Sequence, residues 1–146
     1  MATQSTAEAV WQGDLPNGSG TVSATSGVLA DQPVTWAARV ERTTDTTSPE
    51  ELLAAAHAAC FAMAFSHAIA QAGEPAERLE VRAAYTFDRV EEGFGITTAA
   101  LSVRGRVAGL DEARFGELAQ EAGAGCPVSQ AIHGNVDITV DARLSA

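Results

Sequence analysis

The residues of this chain that could do chemistry together are two thiols, Cys60 and Cys126, one carboxylate, Glu50, and an arginine, either Arg39 or Arg42. Cys60 lies within PEELLAAAHAACFAMAF, residues 49–65. The thiolate is the nucleophilic form of cysteine, and apolar surroundings disfavour it because desolvation raises the pKa. Cys60 is therefore either core packing or a reactive thiol with a cation close by to reverse that shift. Lysine is absent and arginine occurs nine times, so cations are few; Arg39 and Arg42 are the nearest in sequence. Cys126 lies in GAGCPVSQAI, residues 123–132. Pro127 suits a first helical position, which puts Cys126 at the N-cap. Free amides and the positive end of the helix dipole favour a thiolate there, although a buried or incidental cysteine reads the same way.

Glu50 suits the first turn of a helix through the dipole alone. It stands ten residues before Cys60, which on an unbroken helix is about 15 Å. It cannot easily serve Cys60 of its own chain, so a shared site implies that a second subunit supplies Glu50. The histidines raise a metal question. His57 and Cys60 are spaced i, i+3, with His67 seven residues beyond Cys60. Zinc takes four close ligands, and no CxxC or HxxxH pair is present, so no metal site is expected. His57 is expected to pack beside the thiol or bond locally, and His133 to lie in a loop.

The elements that must position these groups can be read from periodicity. Ala7–Trp11, Thr21–Ser26 and Pro33–Val40 read as strands of a small antiparallel sheet, punctuated by Pro16-Asn17-Gly18-Ser19-Gly20. Ser48-Pro49-Glu50-Glu51 opens a helix with an S-x-x-E capping box, and the helix should stop at Gly73-Glu74-Pro75. Its middle is apolar on every side, which predicts burial all round and hints at a dimer. Leu79, Val81, Ala83, Tyr85 and Phe87 alternate with mostly polar residues and pair, across a turn at Glu91-Glu92-Gly93, with a strand over 96–107. A second helix opens at Leu110-Asp111 and ends near Gly123, and a last strand follows from Val136 to Leu144. Strands and helices in this order make an α+β fold in one domain, residues 1–146.

Composition narrows the function classes. A net charge of −10, with the acids spread along the chain, argues against nucleic acid and anionic membrane surfaces as partners. The start MATQSTAEAVWQGD has neither a basic nor an apolar stretch, and the run from Leu52 to Phe65 is shorter than the ~18 residues of a membrane span. A cytoplasmic protein is expected. There, a bond between two cysteines would be transient and redox-active, not structural.

PEELLAAAHAACFAMAF and AGCPVSQAI together resemble the two signature segments of the OsmC/Ohr family of thiol-dependent hydroperoxide reductases. WQGD, GTVSATSGVL and GFGIT also resemble the OsmC branch, so the likeness spans essentially the whole chain. HAACF and CPVSQ favour that branch over Ohr, in which a tyrosine usually takes the place of His57. The resemblance implies that Cys60 attacks the peroxide, that Cys126 resolves the product into a disulfide, and that Glu50 orients a catalytic arginine. TWAARVERTTDTTSPEEL aligns best with Arg39 in that role, placed on a strand, with Arg42 as the alternative. The implied fold is an intertwined homodimer, with antiparallel sheets wrapped around central buried helices and sites at the subunit interface. The implied activity is reduction of organic hydroperoxides without a bound cofactor, recycled by an external dithiol such as a dihydrolipoyl group. Phe61, Met63 and Phe65 are expected to line an apolar pocket for the organic group. A non-enzymatic module that binds a small hydrophobic ligand, with both cysteines as packing, is the rival reading.

Overall fold

A computed structural model describes residues 1–41 and 43–145 of the chain, which divides into two compact units, Met1–Leu52 and the residues from Leu53 onward. In the first unit, β1 (Ala7–Gln12), β2 (Ser19–Ala24) and β3 (Gln32–Val34) form an antiparallel sheet in the order β1-β2-β3. Asp14 closes the first hairpin, accepting from the Gly18 amide through its carbonyl and from the Asn17 amide through its carboxylate. Every residue of β1 is exposed.

The strand expected over Pro33–Val40 stops at Val34, and Trp36–Val40 is instead a short helix, α1. The reason is local. Thr35 takes an extended conformation and its hydroxyl accepts from the Ala38 amide, as an N-cap does, while the Glu41 amide donates to the Ala37 carbonyl. Arg39 is therefore on a helix, not on a strand. The chain then returns to β3, where the Thr47 amide donates to the Pro33 carbonyl.

Helix α2 (Pro49–Gln71) begins where the capping signal places it. Ser48 Oγ accepts from the Glu51 amide, but the Glu51 carboxylate takes its bond from the Thr47 hydroxyl and not from the Ser48 amide. By length and composition α2 could cross a membrane. Within the second unit it is instead the core helix. His57, Phe61, Phe65 and Ile69 recur every four residues and are buried on one face. The burial all round expected from its apolar sequence is not found in the chain alone: Ala55, Ala56, Ala59 and Met63 form an exposed stripe on another face.

β4 (Arg78–Val90) and β5 (Gly93–Arg106) make the expected hairpin, with a bulge at Thr86/Phe87. β6 (Asp137–Leu144) joins β5 in parallel, in the order β4-β5-β6. A parallel neighbour needs a long crossover, and α3 (Glu112–Gly125) and α4 (Pro127–Ile132) supply it. Asp111 caps α3, accepting from the Arg114 amide. Phe115, Leu118, Ala119 and Ala122 turn inward to meet Leu101 and Val103 of β5 and the phenylalanines of α2. The Phe115 and Phe65 rings lie 4.9 Å apart and those of Phe65 and Phe61 5.6 Å apart, which forms the aromatic centre of the core.

Candidate active site

Helices α2 and α4 bring Cys60 and Cys126 together. Their sulfurs lie 3.1 Å apart, both cysteines are free, and they are 66 residues apart in sequence. Only about 1 Å of approach separates this geometry from a disulfide. The two are unequal in access: Cys60 is half-buried and Cys126 is fully buried. They are also unequal in acidity. Burial pushes the Cys60 thiol above its ordinary pKa, and the neighbouring Cys126 adds to that rise against an opposing bond from the Val128 amide. Burial acts the same way on Cys126, but there it is outweighed. The Ser129 amide, the Cys60 thiol, the Ser129 hydroxyl and the Val128 amide all favour its thiolate, which leaves Cys126 below the ordinary value. The N-cap position expected for Cys126 is found, with Pro127 opening α4. The amides of that first turn, the Cys60 thiol and the Ser129 hydroxyl together outweigh its burial.

His57 stands beside the pair without joining a metal cluster. It is completely buried, with Nδ1 2.8 Å from the Tyr85 hydroxyl and Nε2 2.7 Å from Ser129 Oγ. These partners are 28 and 72 residues away in sequence, so the expectation of a local bond does not hold. Burial lowers the His57 pKa, so the ring is neutral near pH 7. Nothing in the sequence directly marks Tyr85 and Ser129 as partners of His57. The signal for them is indirect: a histidine inside an apolar helix needs a hydrogen-bond partner at each ring nitrogen. Among the described residues, no group of three or more His, Cys, Asp and Glu is placed to hold a metal ion.

In the first unit, Arg39 and Glu50 form an ion pair. Arg39 Nε donates to both Glu50 carboxylate oxygens, at 3.2 and 3.3 Å, and Nη2 to Oε1 at 2.7 Å. The Glu50 side chain is 8% exposed and that of Arg39 30%. The guanidinium also lies 5.8 Å from the centre of the Trp36 ring. The helical turn of α1 thus aims Arg39 at the first turn of α2. Arg42, the alternative arginine, lies outside the described residues.

The apolar lining expected of Phe61, Met63 and Phe65 does not form within the chain. Phe61 and Phe65 are fully buried core residues, whereas Met63 is 69% exposed on another face of the helix. Residues two apart on a helix do not share a face.

Comparison with known proteins gives one answer throughout. Residues 42–141 match the family model of OsmC-like proteins. Peroxiredoxin OsmC of Escherichia coli strain K12 is 42% identical over 146 residues, covering 100% of both chains. The organic hydroperoxide resistance protein OhrB of Bacillus subtilis strain 168 is 32% identical over 126 residues, covering 85% of this chain and 89% of that one. The crystal structure of Bacillus subtilis OhrB superposes with a TM-score of 0.74 at 30% identity, covering 94% of this chain and 98% of that one. An organic hydroperoxide resistance protein from Elizabethkingia anophelis gives a TM-score of 0.75 at 26% identity, covering 99% of this chain and 100% of that one. With a family model matching well over half its length and a full-length relative at this identity, the chain belongs to the OsmC family.

Proposed function

We propose that this protein, residues 1–146 acting as one OsmC domain, is a thiol-dependent peroxidase that reduces organic hydroperoxides in the response to oxidative stress. The observation that carries this reading is the thiol pair: two free sulfurs 3.1 Å apart, of which only Cys60 is accessible. The accessible sulfur suits the attacking role and the buried, more acidic one the resolving role. Relatives named peroxiredoxin and organic hydroperoxide resistance protein support the same chemistry.

In the first step, the Cys60 thiolate attacks the distal oxygen of ROOH and the O–O bond breaks. Sulfur keeps the hydroxyl as a sulfenic acid, and the alkoxide leaves and takes a proton to become ROH. In the second, the Cys126 thiolate attacks the Cys60 sulfur, the S–O bond breaks, and hydroxide leaves as water once protonated. The disulfide protects Cys60 from over-oxidation. A dithiol, of the dihydrolipoyl kind, then reopens it by thiol–disulfide exchange. Neither step calls for a prosthetic group.

Because burial holds Cys60 above the ordinary thiol range, the first step needs a cation. Arg39 is that cation in this reading, held in bidentate geometry by Glu50, with Nε on Oε2 and Nη2 on Oε1, so that it stabilises both the thiolate and the charge developing on the leaving oxygen. The protein acts as a cytoplasmic homodimer, and a second copy supplies Glu50, with Arg39 bound to it. The exposed Ala55, Ala56, Ala59 and Met63 stripe and β1, every residue of which is exposed, support a partner of the same chain. Replacing Cys60 by serine should abolish hydroperoxide consumption with a dithiol donor, and steady-state turnover equal to the parent's would overturn the reading.

A further inference from the structure

Closing the disulfide requires Cys126 to lose a proton in a place solvent does not reach, since its exposure is 0%. The peroxidase reading, on which this inference rests, leaves open where that proton goes. A chain of hydrogen-bonded polar groups runs from Ser129 through His57 to Tyr85, and it begins in the helical turn that Cys126 caps. Ser129 lies three residues beyond Cys126, in the first turn of the helix that Cys126 caps, and its amide and hydroxyl both favour the Cys126 thiolate. Ser129 Oγ lies 2.7 Å from His57 Nε2, and His57 Nδ1 lies 2.8 Å from the Tyr85 hydroxyl. Ser129 and His57 are 4% and 0% exposed, and no buried side-chain polar atom among the described residues lacks a partner. A histidine bonded at both ring nitrogens, one toward a nucleophile's proton and one toward an orienting group, has the geometry of a general base.

We propose that His57 is the base for the resolving thiol, acting on Cys126 through the Ser129 hydroxyl and held in place by Tyr85. The proton balance closes within the site. The Cys126 proton passes to Ser129 Oγ as the Ser129 hydroxyl proton passes to His57 Nε2. The imidazolium then donates from Nδ1 to the Tyr85 oxygen and from Nε2 to Ser129, whose hydroxyl now donates to the Cys126 thiolate. The thiolate attacks the Cys60 sulfenic sulfur, the S–S bond forms and the S–O bond breaks. The departing hydroxide recovers the proton from His57 by the same serine and leaves as water. The sum is Cys60–SOH plus Cys126–SH giving disulfide and water, with no outside reagent. Burial, which disfavours the imidazolium, makes it tolerable only while the thiolate faces it. Once the thiolate is consumed, the same burial drives the proton back out. Ser129 is thus the group that hands on the proton, and His57 and Tyr85 are positioning residues behind it.

The test separates the two chemical steps. Reduced full-length parent, Ser129→Ala, Ser129→Thr and His57→Gln are mixed with tert-butyl hydroperoxide, quenched in acid and read by intact mass. Oxidation of Cys60 and closure of the disulfide are timed separately. Ser129→Ala and His57→Gln should oxidise Cys60 within about twofold of the parent, close the disulfide tenfold or more slowly, and accumulate Cys60 sulfinic acid in excess peroxide. Ser129→Thr, which restores the hydroxyl, should recover closure. Should His57→Gln fail to fold, Ser129→Ala, which removes a single oxygen, decides the matter. Closure at the parental rate in Ser129→Ala, or equal slowing of both steps, would overturn the inference. A parent that does not react with the peroxide at all would instead remove the peroxidase reading, and this inference with it.

Discussion

Glu50→Gln isolates the charge and geometry that hold Arg39. The carboxylate accepts three bonds from the guanidinium, at 3.2, 3.3 and 2.7 Å. A glutamine keeps one acceptor oxygen and turns an amide NH2 group against a cation, so at most part of this set survives. Removing a partner from a fully buried pair costs about 3–5 kcal/mol, and an exposed pair is worth about 0–1 kcal/mol. With Glu50 at 8% and Arg39 at 30% exposure, the guanidinium retains access to water, and a cost of about 1–2 kcal/mol is expected. For a chain of this size that lowers the melting temperature by about 2–4 °C per kcal/mol, so the variant stays folded. The rate constant for peroxide attack should fall further, about tenfold to hundredfold, because a misaimed guanidinium no longer stabilises the transition state. Arg39→Lys should fail similarly, since an ammonium cannot copy the bidentate geometry. The assay is the second-order rate of Cys60 oxidation across a range of organic hydroperoxide concentrations, with thermal melts beside it. A Glu50→Gln protein that is slightly destabilised but oxidised at the parental rate would refute the role given to the pair.

Two further outcomes follow from the second unit. Burial holds the folded-state His57 pKa below its unfolded value of 6.5, so the histidine's contribution to stability is complete above pH 6.5 and is lost as the pH falls below it. Between the two pKa values the unfolded chain binds more protons, which gives a slope of up to about 1.4 kcal/mol per pH unit. Urea unfolding at pH 7.5, 6.5 and 5.5 should show that loss in the parent, and the same loss in His57→Gln would contradict it. Gly105→Ala should destabilise by about 1–3 kcal/mol, because a Cβ there would meet the Phe115 ring and come within 3.0 Å of Leu79 Cδ2. A denaturation midpoint equal to the parent's would show that the aromatic core yields more easily than its contacts imply.

Much of the second unit was legible in the sequence because its signals are periodic and local. Alternation over 79–87 and 96–107 marks the hairpin, and Pro127 marks the N-cap that Cys126 occupies. The direction of β6 was not legible, since alternation is the same in a parallel and an antiparallel strand; the crossover through α3 and α4 decides it. α1 is not legible because Trp36–Val40 is too short to show a helical period, and its signal is the single hydroxyl of Thr35. Correcting Arg39 from strand to helix leaves its partner unchanged, since Glu50 was the carboxylate expected to orient it. Ser129 and Tyr85 could not be read as site residues because their partnership with His57 is long-range and depends on tertiary packing alone.

The most direct measurement counts thiols on fully reduced protein before and after one equivalent of an organic hydroperoxide, with intact mass. The account predicts loss of both thiols per chain, a mass lower by about 2 Da for the disulfide, and full recovery with a dithiol. Unchanged thiols would contradict it, and Cys60 would then be a packing cysteine beside a second one.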